Sequence, residues 1–269
     1  MPLTDEQVAA AGAAVADARL ARGRWAGLPA DLEPTDEADA YRVQGALRAE
    51  LGRRGEGVRA GRKIGCTTPV MQEFLGIPNP CAGGILAREV HADGATVAVR
   101  GATRLGVECE VAVRLGDDLP GLPDGAPYTR AAVADAVAEC MAAIEVVEDR
   151  YEDYGALSTP TLIADDFFGA GIVLGEPVAG FDPLALDACT ARMLIDGEEV
   201  GSGSGADILG HPLEALAWLA TSAAARGDAL AAGEVVMLGS LVATRWVEPG
   251  QEVAIENDPL GPVRLRVAG

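Results

Sequence analysis

The sequence is poor in histidine, poor in cations and free of long apolar runs, and each shortage removes a class of function. His91 and His211 are its only two histidines. His91 falls in the turn-like "HADG" and His211 opens the helical "LGHPLEALAWLA", so neither is placed for a Ser-His-Asp device. Lysine and arginine number 21 against 41 acids, a formal charge of −20. A surface of that sign argues against a nucleic-acid or anionic-membrane partner. No stretch reaches the roughly 18 apolar residues of a membrane-spanning helix. The opening "MPLTDEQVAAAGAAVADARLARGRW" lacks the basic stretch and apolar core of a secretory signal. The five cysteines (Cys66, Cys81, Cys109, Cys140 and Cys189) form no CxxC pair and no Cys/His metal spacing. Reduced thiols in a cytoplasmic protein are therefore expected.

What is present is enough for a large core: 269 residues, of which 49% are apolar. Residues 1–55 read as helical. "TDEQVAAAGAAVADARLARG" begins at Thr4, an N-cap candidate followed by acids, and "TDEADAYRVQGALRAELGRRG" repeats the design from Thr35. Pro29 and Pro34 break the chain between them. Past Gly55, short Val/Ile-rich runs alternate with Gly- and Pro-bearing turns, among them "ATVAVR", "GVECEVAVRL", "GAGIVLGEPV" and "EVVMLGSLVA". This grammar predicts a mostly antiparallel β-body over residues 56–269. Two helices should interrupt it, 129–140 and 212–227, the second closed by Gly227. The expected class is α+β, a helical N-terminal segment leading into a β-rich domain.

In "GVECEVAVRL" the valines Val107, Val111 and Val113 share one strand face, while Glu108 and Glu110 share the other. Two carboxylates at i and i+2 stand about 6–7 Å apart, which suits two hard-oxygen ligands of one divalent ion. The same spacing equally describes a solvated strand face. Glu145 weighs against that reading, because it lies between Ile144 and Val146 in "AIEVVEDR", where an unpaired carboxylate is costly. Three such oxygens with open positions would make a Lewis-acid site. "GRKIGCTT" supplies the opposite sign in Lys63, placed to hold a substrate anion, or to exchange a proton if burial lowers its pKa.

In this order the segments resemble the 2-oxopent-4-enoate (2-keto-4-pentenoate) hydratases and 4-oxalocrotonate decarboxylases of the fumarylacetoacetate hydrolase superfamily. "AYRVQ" is similar to the family's N-terminal helix signature, "GRKIGCTTPVMQEFLGI" to its Gly-x-Lys-x-Gly-x-Thr segment, "VECEVAVRLGDDLPG" to its Glu-x-Glu strand and "AIEVVEDR" to the segment with its third metal acid. "LIADD", "GSGSGADILGHPLEALAWLA", "VVMLGSLV" and "VEPGQEVAIENDPLGPVRLRV" follow collinearly, so the resemblance covers nearly the whole chain. It implies a β-rich fold, Mg²⁺ or Mn²⁺ held by Glu108, Glu110 and Glu145, and a homo-oligomer. It further implies a small 2-oxo acid substrate touched by Lys63, with Ser240 near its carboxylate; Ile64, Asp165 and Arg245 are further substrate-binding candidates.

Three places depart from the family pattern. Cys81 and Ala82, in "NPCAGG", stand where many hydratases have Asp and an aromatic residue, so Cys81 is a candidate proton-transfer group or a small packing residue. Phe167 and Phe168 replace small polar residues, as core filling or as a reshaped pocket. Arg245 and Trp246 stand where smaller or apolar residues are usual. The activity implied is metal-dependent addition of water to a small 2-hydroxy-dienoate or 2-oxo-enoate in aromatic meta-cleavage catabolism. The alternatives are decarboxylation of a 2-oxo-enedioate, with Arg245 meeting a second carboxylate, and a non-catalytic 2-oxo-acid-binding member. Hydrolysis of an acylpyruvate is disfavoured, since neither histidine has the N-terminal context of a His-Glu pair.

Overall fold

A computed structural model describes residues 2–99, 101 and 103–269; Arg100, which ends the run "ATVAVR", lies outside them. Two helices come first, α1 (Asp5–Ala21) and α2 (Glu37–Arg53). Thr4 caps α1 in a reciprocal capping box with Gln7, and Asp36, one residue beyond the expected Thr35, caps α2. The helices pack closely at Gly12, where a Cβ would lie 2.7 Å from Ala46 and from the Leu47 backbone. Their apolar faces (Val8, Val15, Val43, Leu47) close over Leu86 and Ala164 of the following chain.

The rest is two sheets. Strands β1 (Arg59–Gly65) and β2 (Cys81–Leu86) flank a short helix, α3 (Pro69–Leu75). Then come β3 (Val90–Ala92), β4 (Ala95–Ala98), β5 (Arg104–Leu115), α4 (Arg130–Ala134), β6 (Val137–Asp149), α5 (Thr159–Ala164) and β7 (Gly169–Leu174). The chain ends with β8 (Thr190–Ile195), β9 (Glu198–Ser204), α6 (Pro212–Ala225), β10 (Val235–Val247), β11 (Glu252–Asp258) and β12 (Gly261–Ala268). The larger sheet runs β2-β1-β10-β5-β6-β7-β3 and the smaller β4-β12-β11-β8-β9. The pairs β1/β10, β3/β7 and β4/β12 are parallel and the others antiparallel. The class is α+β, as the sequence indicates. Among the described residues no helix is long and apolar enough to cross a membrane.

The helix expected over 129–140 is shorter than the alanine-rich pattern suggests. Thr129 caps it, but α4 ends at Ala134 and β6 begins three residues later. From there the chain pairs with β5 from Leu115↔Val137 to Arg104↔Asp149. A helix continued to Cys140 would leave that end of β5 without a ladder, so sheet pairing overrides local helix preference. Short helices α3 and α5, capped by Thr68 and Ser158, are further additions to the sequence reading.

Strand β5 is covered on both faces. Val107, Cys109, Val111 and Val113 enter the core between the sheets with Ile144, Val253, Ile255 and Val263. On the other face Ala112 packs with Met141, Ala143 and Met237. Glu110 and Glu108 continue that second face along the strand.

Candidate active site

The ladder between β5 and β6 sets Glu108 opposite Glu145 and Glu110 opposite Ala143. The three carboxylates each offer an oxygen within 4.8 Å of the others. Glu110 and Glu145 are buried and Glu108 is half-buried. Gly239 forms a bulge in β10 at φ +126°, where a Cβ would sit 2.4 Å from Thr67 Oγ1. The bulge aims its N–H at Glu110 Oε2, 2.9 Å away. The other oxygen, Glu110 Oε1, is buried without a hydrogen-bond partner. A buried carboxylate oxygen left unpaired among two more acids is the arrangement a cation relieves. The Thr244 hydroxyl donates to Glu108 Oε1 and fixes that side chain from β10.

Lys63 on β1 reaches the same cluster, with Nζ 2.7 Å from Glu145 Oε1 and both side chains buried. Burial pulls the Lys63 pKa down, but Glu145 and Glu108 more than offset it, and the ammonium is held above its ordinary value. Loss of its proton through burial, one expectation for this lysine, is opposed by these neighbours. Burial and the adjacent acids push Glu110 well above the usual carboxylate range. Burial also pushes Glu145 up, to about 7, although Lys63 opposes the shift. Three acids and one lysine leave a formal charge of −2, which one divalent cation would neutralise. The donor set, all hard oxygens, suits Mg²⁺ or Mn²⁺.

A cavity of about 840 Å³ opens over this cluster, with Lys63, Ile64, Glu108 and Ser240 among its lining residues. The side chain of Ile64 belongs to the core between the sheets. The Ser240 hydroxyl donates to the Val242 carbonyl at 2.6 Å. Apolar walls come from the turn after α5, where Phe167 and Phe168 take the pocket alternative of the sequence reading, and from the loop after β6 and α3, which that reading of the site did not include.

Besides Glu110 and Glu145, which belong to the carboxylate cluster but not to the lining, three sequence candidates stand apart from it. Cys81 is fully buried behind Cys66, with the two sulfurs 3.5 Å apart, and burial and that neighbour push its thiol pKa up. Asp165 is enclosed at the end of α5, accepting from Arg150 at 2.6 Å and from the Tyr151 hydroxyl at 2.7 Å. Arg245 alternates with the cavity-facing Thr244 and Trp246, so its guanidinium leaves the opposite face and donates to the Val200 carbonyl on β9. Neither histidine is among the lining residues. His211 caps α6 through Nδ1, 3.0 Å from the Leu213 N–H, and His91 lies on β3. A one-dimensional pattern gives no signal for Thr244, because its role depends on the register of β10 against β5.

Residues 86–268 match the fumarylacetoacetate hydrolase C-terminal family. The chain is 34% identical over 261 residues to a 2-keto-4-pentenoate hydratase of Burkholderia vietnamiensis, covering 97% of both chains. It is 29% identical over 266 residues to a 4-oxalocrotonate decarboxylase of Pseudomonas putida, covering 98% of both. The fold superposes on the structure of 4-oxalocrotonate decarboxylase from Pseudomonas putida G7, complexed with magnesium and adipate. That match has a TM-score of 0.90, 28% identity and 99% coverage of each chain.

Proposed function

The chain belongs to the fumarylacetoacetate hydrolase family, and on that premise we propose that it is a hydro-lyase. The proposed reaction is divalent-metal-dependent addition of water to a small 2-hydroxy-dienoate of the 2-hydroxypenta-2,4-dienoate type. The observation that carries this reading is the triad Glu108, Glu110 and Glu145 beside Lys63, of which Glu108 and Lys63 line the cavity. Similarity over nearly the full length to a 2-keto-4-pentenoate hydratase supports the reaction type.

Net hydration of such a substrate moves the enol proton to C5, adds the water oxygen to C4 and places a proton on C3, leaving a 4-hydroxy-2-oxo acid. Water adds at C4 once the enol has become a ketone, because C4 is then conjugated to the C2 carbonyl. Glu108, Glu110 and Glu145 would hold Mg²⁺ or Mn²⁺, whose charge favours the developing enolate oxygen. Lys63 offsets one of the three negative charges and so lets an anionic substrate approach. Thr244 and the Gly239 N–H keep Glu108 and Glu110 oriented. Ser240 lines the cavity and would meet the substrate carboxylate by turning its hydroxyl from the Val242 carbonyl.

Decarboxylation of a 2-oxo-enedioate is the second reading, favoured by the superposition on 4-oxalocrotonate decarboxylase. It needs a cation for the second carboxylate, and Arg245 is directed at Val200 instead. We infer a homo-oligomer, which light scattering measures. A reducing cytoplasmic setting is consistent with five free cysteines. The test is purified protein with Mg²⁺ and 2-hydroxypenta-2,4-dienoate. Loss of the dienol absorbance with formation of the 4-hydroxy-2-oxo acid is expected, and an unchanged spectrum over hours would sink the proposal.

A further inference from the structure

The turn after α5 is an unusual piece of backbone. Asp166, Phe167 and Phe168 have successive φ values of +53°, +47° and +64°, a left-handed run without glycine. Bulky residues seldom adopt this region, and such strain persists only where the surroundings impose it. Here they do so from both sides. The Asp166 carboxylate accepts from Arg19 at 2.9 Å, Arg48 at 3.0 Å and the Gly84 N–H at 2.7 Å. Just beyond, the Gly169 carbonyl accepts from Arg150 at 2.7 Å and Arg19 at 2.9 Å. The Phe168 carbonyl accepts from the Glu148 N–H at 2.8 Å.

The outcome of the strain is an aromatic wall. Phe167 and Phe168 both line the cavity, edge to face at 5.6 Å, and Phe168 meets Tyr154 in the same way at 5.6 Å. Trp246 also lines the cavity, its indole stacked under the Arg104 guanidinium at 4.4 Å. Met71 and Tyr154, 41% and 42% exposed, are two large apolar side chains left open to solvent on this same cavity. The wall starts close to the chemistry, since Lys63 Nζ is 5.4 Å from the centre of the Phe167 ring. A ligand held at Lys63 therefore has the Phe167 ring beside it.

Among the described lining residues Lys63 is the only cation, and it is engaged with Glu145; the charged groups besides it are Glu108 and Asp207. A second carboxylate on the substrate would meet acids, rings and neutral hydroxyls, with no second cation among the described lining residues. The cavity, about 840 Å³, lies toward the large end of small-molecule sites and exceeds the needs of a five-carbon acid.

We propose that Phe167, Phe168, Tyr154 and Trp246 form a specificity site for an apolar substituent, best an aromatic ring, at the far end of the dienoate. This rests on the hydratase reading and narrows its substrate class. The test compares kcat/KM for three dienols with Mg²⁺: 2-hydroxypenta-2,4-dienoate, 2-hydroxyhexa-2,4-dienedioate and 2-hydroxy-6-phenylhexa-2,4-dienoate. In the last a methylene insulates the ring from the diene, so the reacting carbons stay comparable. The phenyl substrate should exceed the five-carbon one at least tenfold, in line with the roughly 10-fold or greater discrimination one methylene brings in an apolar pocket. The dioate should be the poorest of the three.

Phe168→Asn keeps a residue tolerant of positive φ, and Tyr154→Ser alters an exposed ring at the mouth. Each should cut the phenyl-to-five-carbon ratio at least fivefold. Turnover of the five-carbon acid with a wild-type ratio near one, a preference for the dioate, or ratios unmoved in both variants would overturn the specificity site while leaving a metal-dependent lyase. Failure to consume any of the three would overturn the hydratase reading itself.

Discussion

Glu108 and Glu145 face each other as register partners on adjacent antiparallel strands, with Glu110 two residues along. Like charges directly opposite destabilise a sheet, and burial compounds the cost. A divalent cation should therefore stabilise the fold. At a hundredfold excess over its Kd the gain is about 2.7 kcal/mol, and a domain this size moves roughly 2–4 °C per kcal/mol. Calorimetry of metal-stripped protein titrated with Mg²⁺ or Mn²⁺ should show Tm rising roughly 5–10 °C. A Tm insensitive to both ions would remove the metal assignment.

Glu110→Gln separates charge repulsion from fold damage. The amide keeps an oxygen for the Gly239 N–H and gains donors for the neighbouring carboxylates. The metal-free variant should melt at or above the wild-type temperature, by up to about 1 kcal/mol. The Mg²⁺-dependent rise should vanish with the activity. A variant that keeps the metal response would show that Glu110 is not a ligand.

Glu145→Gln should behave oppositely, because it strands Lys63. The two side chains are 5% and 3% exposed, so the ammonium would be left buried without its partner. Breaking one side of such a pair costs roughly 3–5 kcal/mol. The double variant with Lys63→Gln should recover part of that loss. Urea midpoints of the two single variants and the double test this coupling, and a fully additive cycle would contradict it.

The acidic strand was legible because strand side chains alternate, so Glu108 and Glu110 had to share a face. Glu145 stood out by lying between Ile144 and Val146. What the sequence could not supply was register. The pairing of Glu108 with Glu145, the bulge at Gly239 and the hydroxyl of Thr244 on Glu108 are long-range outcomes of strand order. The alanine-rich 129–140 misled for the same reason, since pairing with β5 converts its second half to strand. The left-handed turn at Asp166–Phe168 contains no glycine to announce it, and the arginines on its Asp166 carboxylate, Arg19 and Arg48, come from more than 100 positions away. Arg245 was misplaced by one step of alternation, which turns a side chain to the other face.

Asp166 ties that turn to the N-terminal helices, and its ionisation sets an acid limit to stability. Burial would raise its carboxyl, but Arg48, Arg19 and the Gly84 N–H hold it below the ordinary value of 3.8. The folded pKa is lower than the unfolded one, so the stabilisation is full above about pH 4 and fades as pH falls through the folded value. Asp166→Asn, which tolerates the left-handed backbone, should cost roughly 3 kcal/mol at pH 7 by leaving two guanidiniums without their anion. The gap in urea midpoint between wild type and variant should narrow as pH drops from 5 to 3. A gap constant across that range would mean that charge at Asp166 contributes nothing.

Cys81 gives the sharpest contrast between its position in the sequence and its position in the fold. It occupies the place of a candidate proton-transfer acid, yet its side chain is fully buried against Cys66, outside the cavity lining. Burial and that second sulfur push its pKa up, so the group is a neutral thiol at physiological pH. A proton donor must come within hydrogen-bond reach of the reacting carbon or of a bridging water. Cys81→Ala should therefore keep kcat/KM within about threefold of wild type, with a stability cost of about 1 kcal/mol. Cys81→Asp should be far worse, because it buries a carboxylate among Cys66, Leu162 and Phe167, where Lys63, the cation whose charge reaches this position, is already paired with Glu145. Loss of activity by two or more orders of magnitude in a well-folded Cys81→Ala variant would return the thiol to the chemistry. It would also require the substrate to reach past Cys66 toward β2.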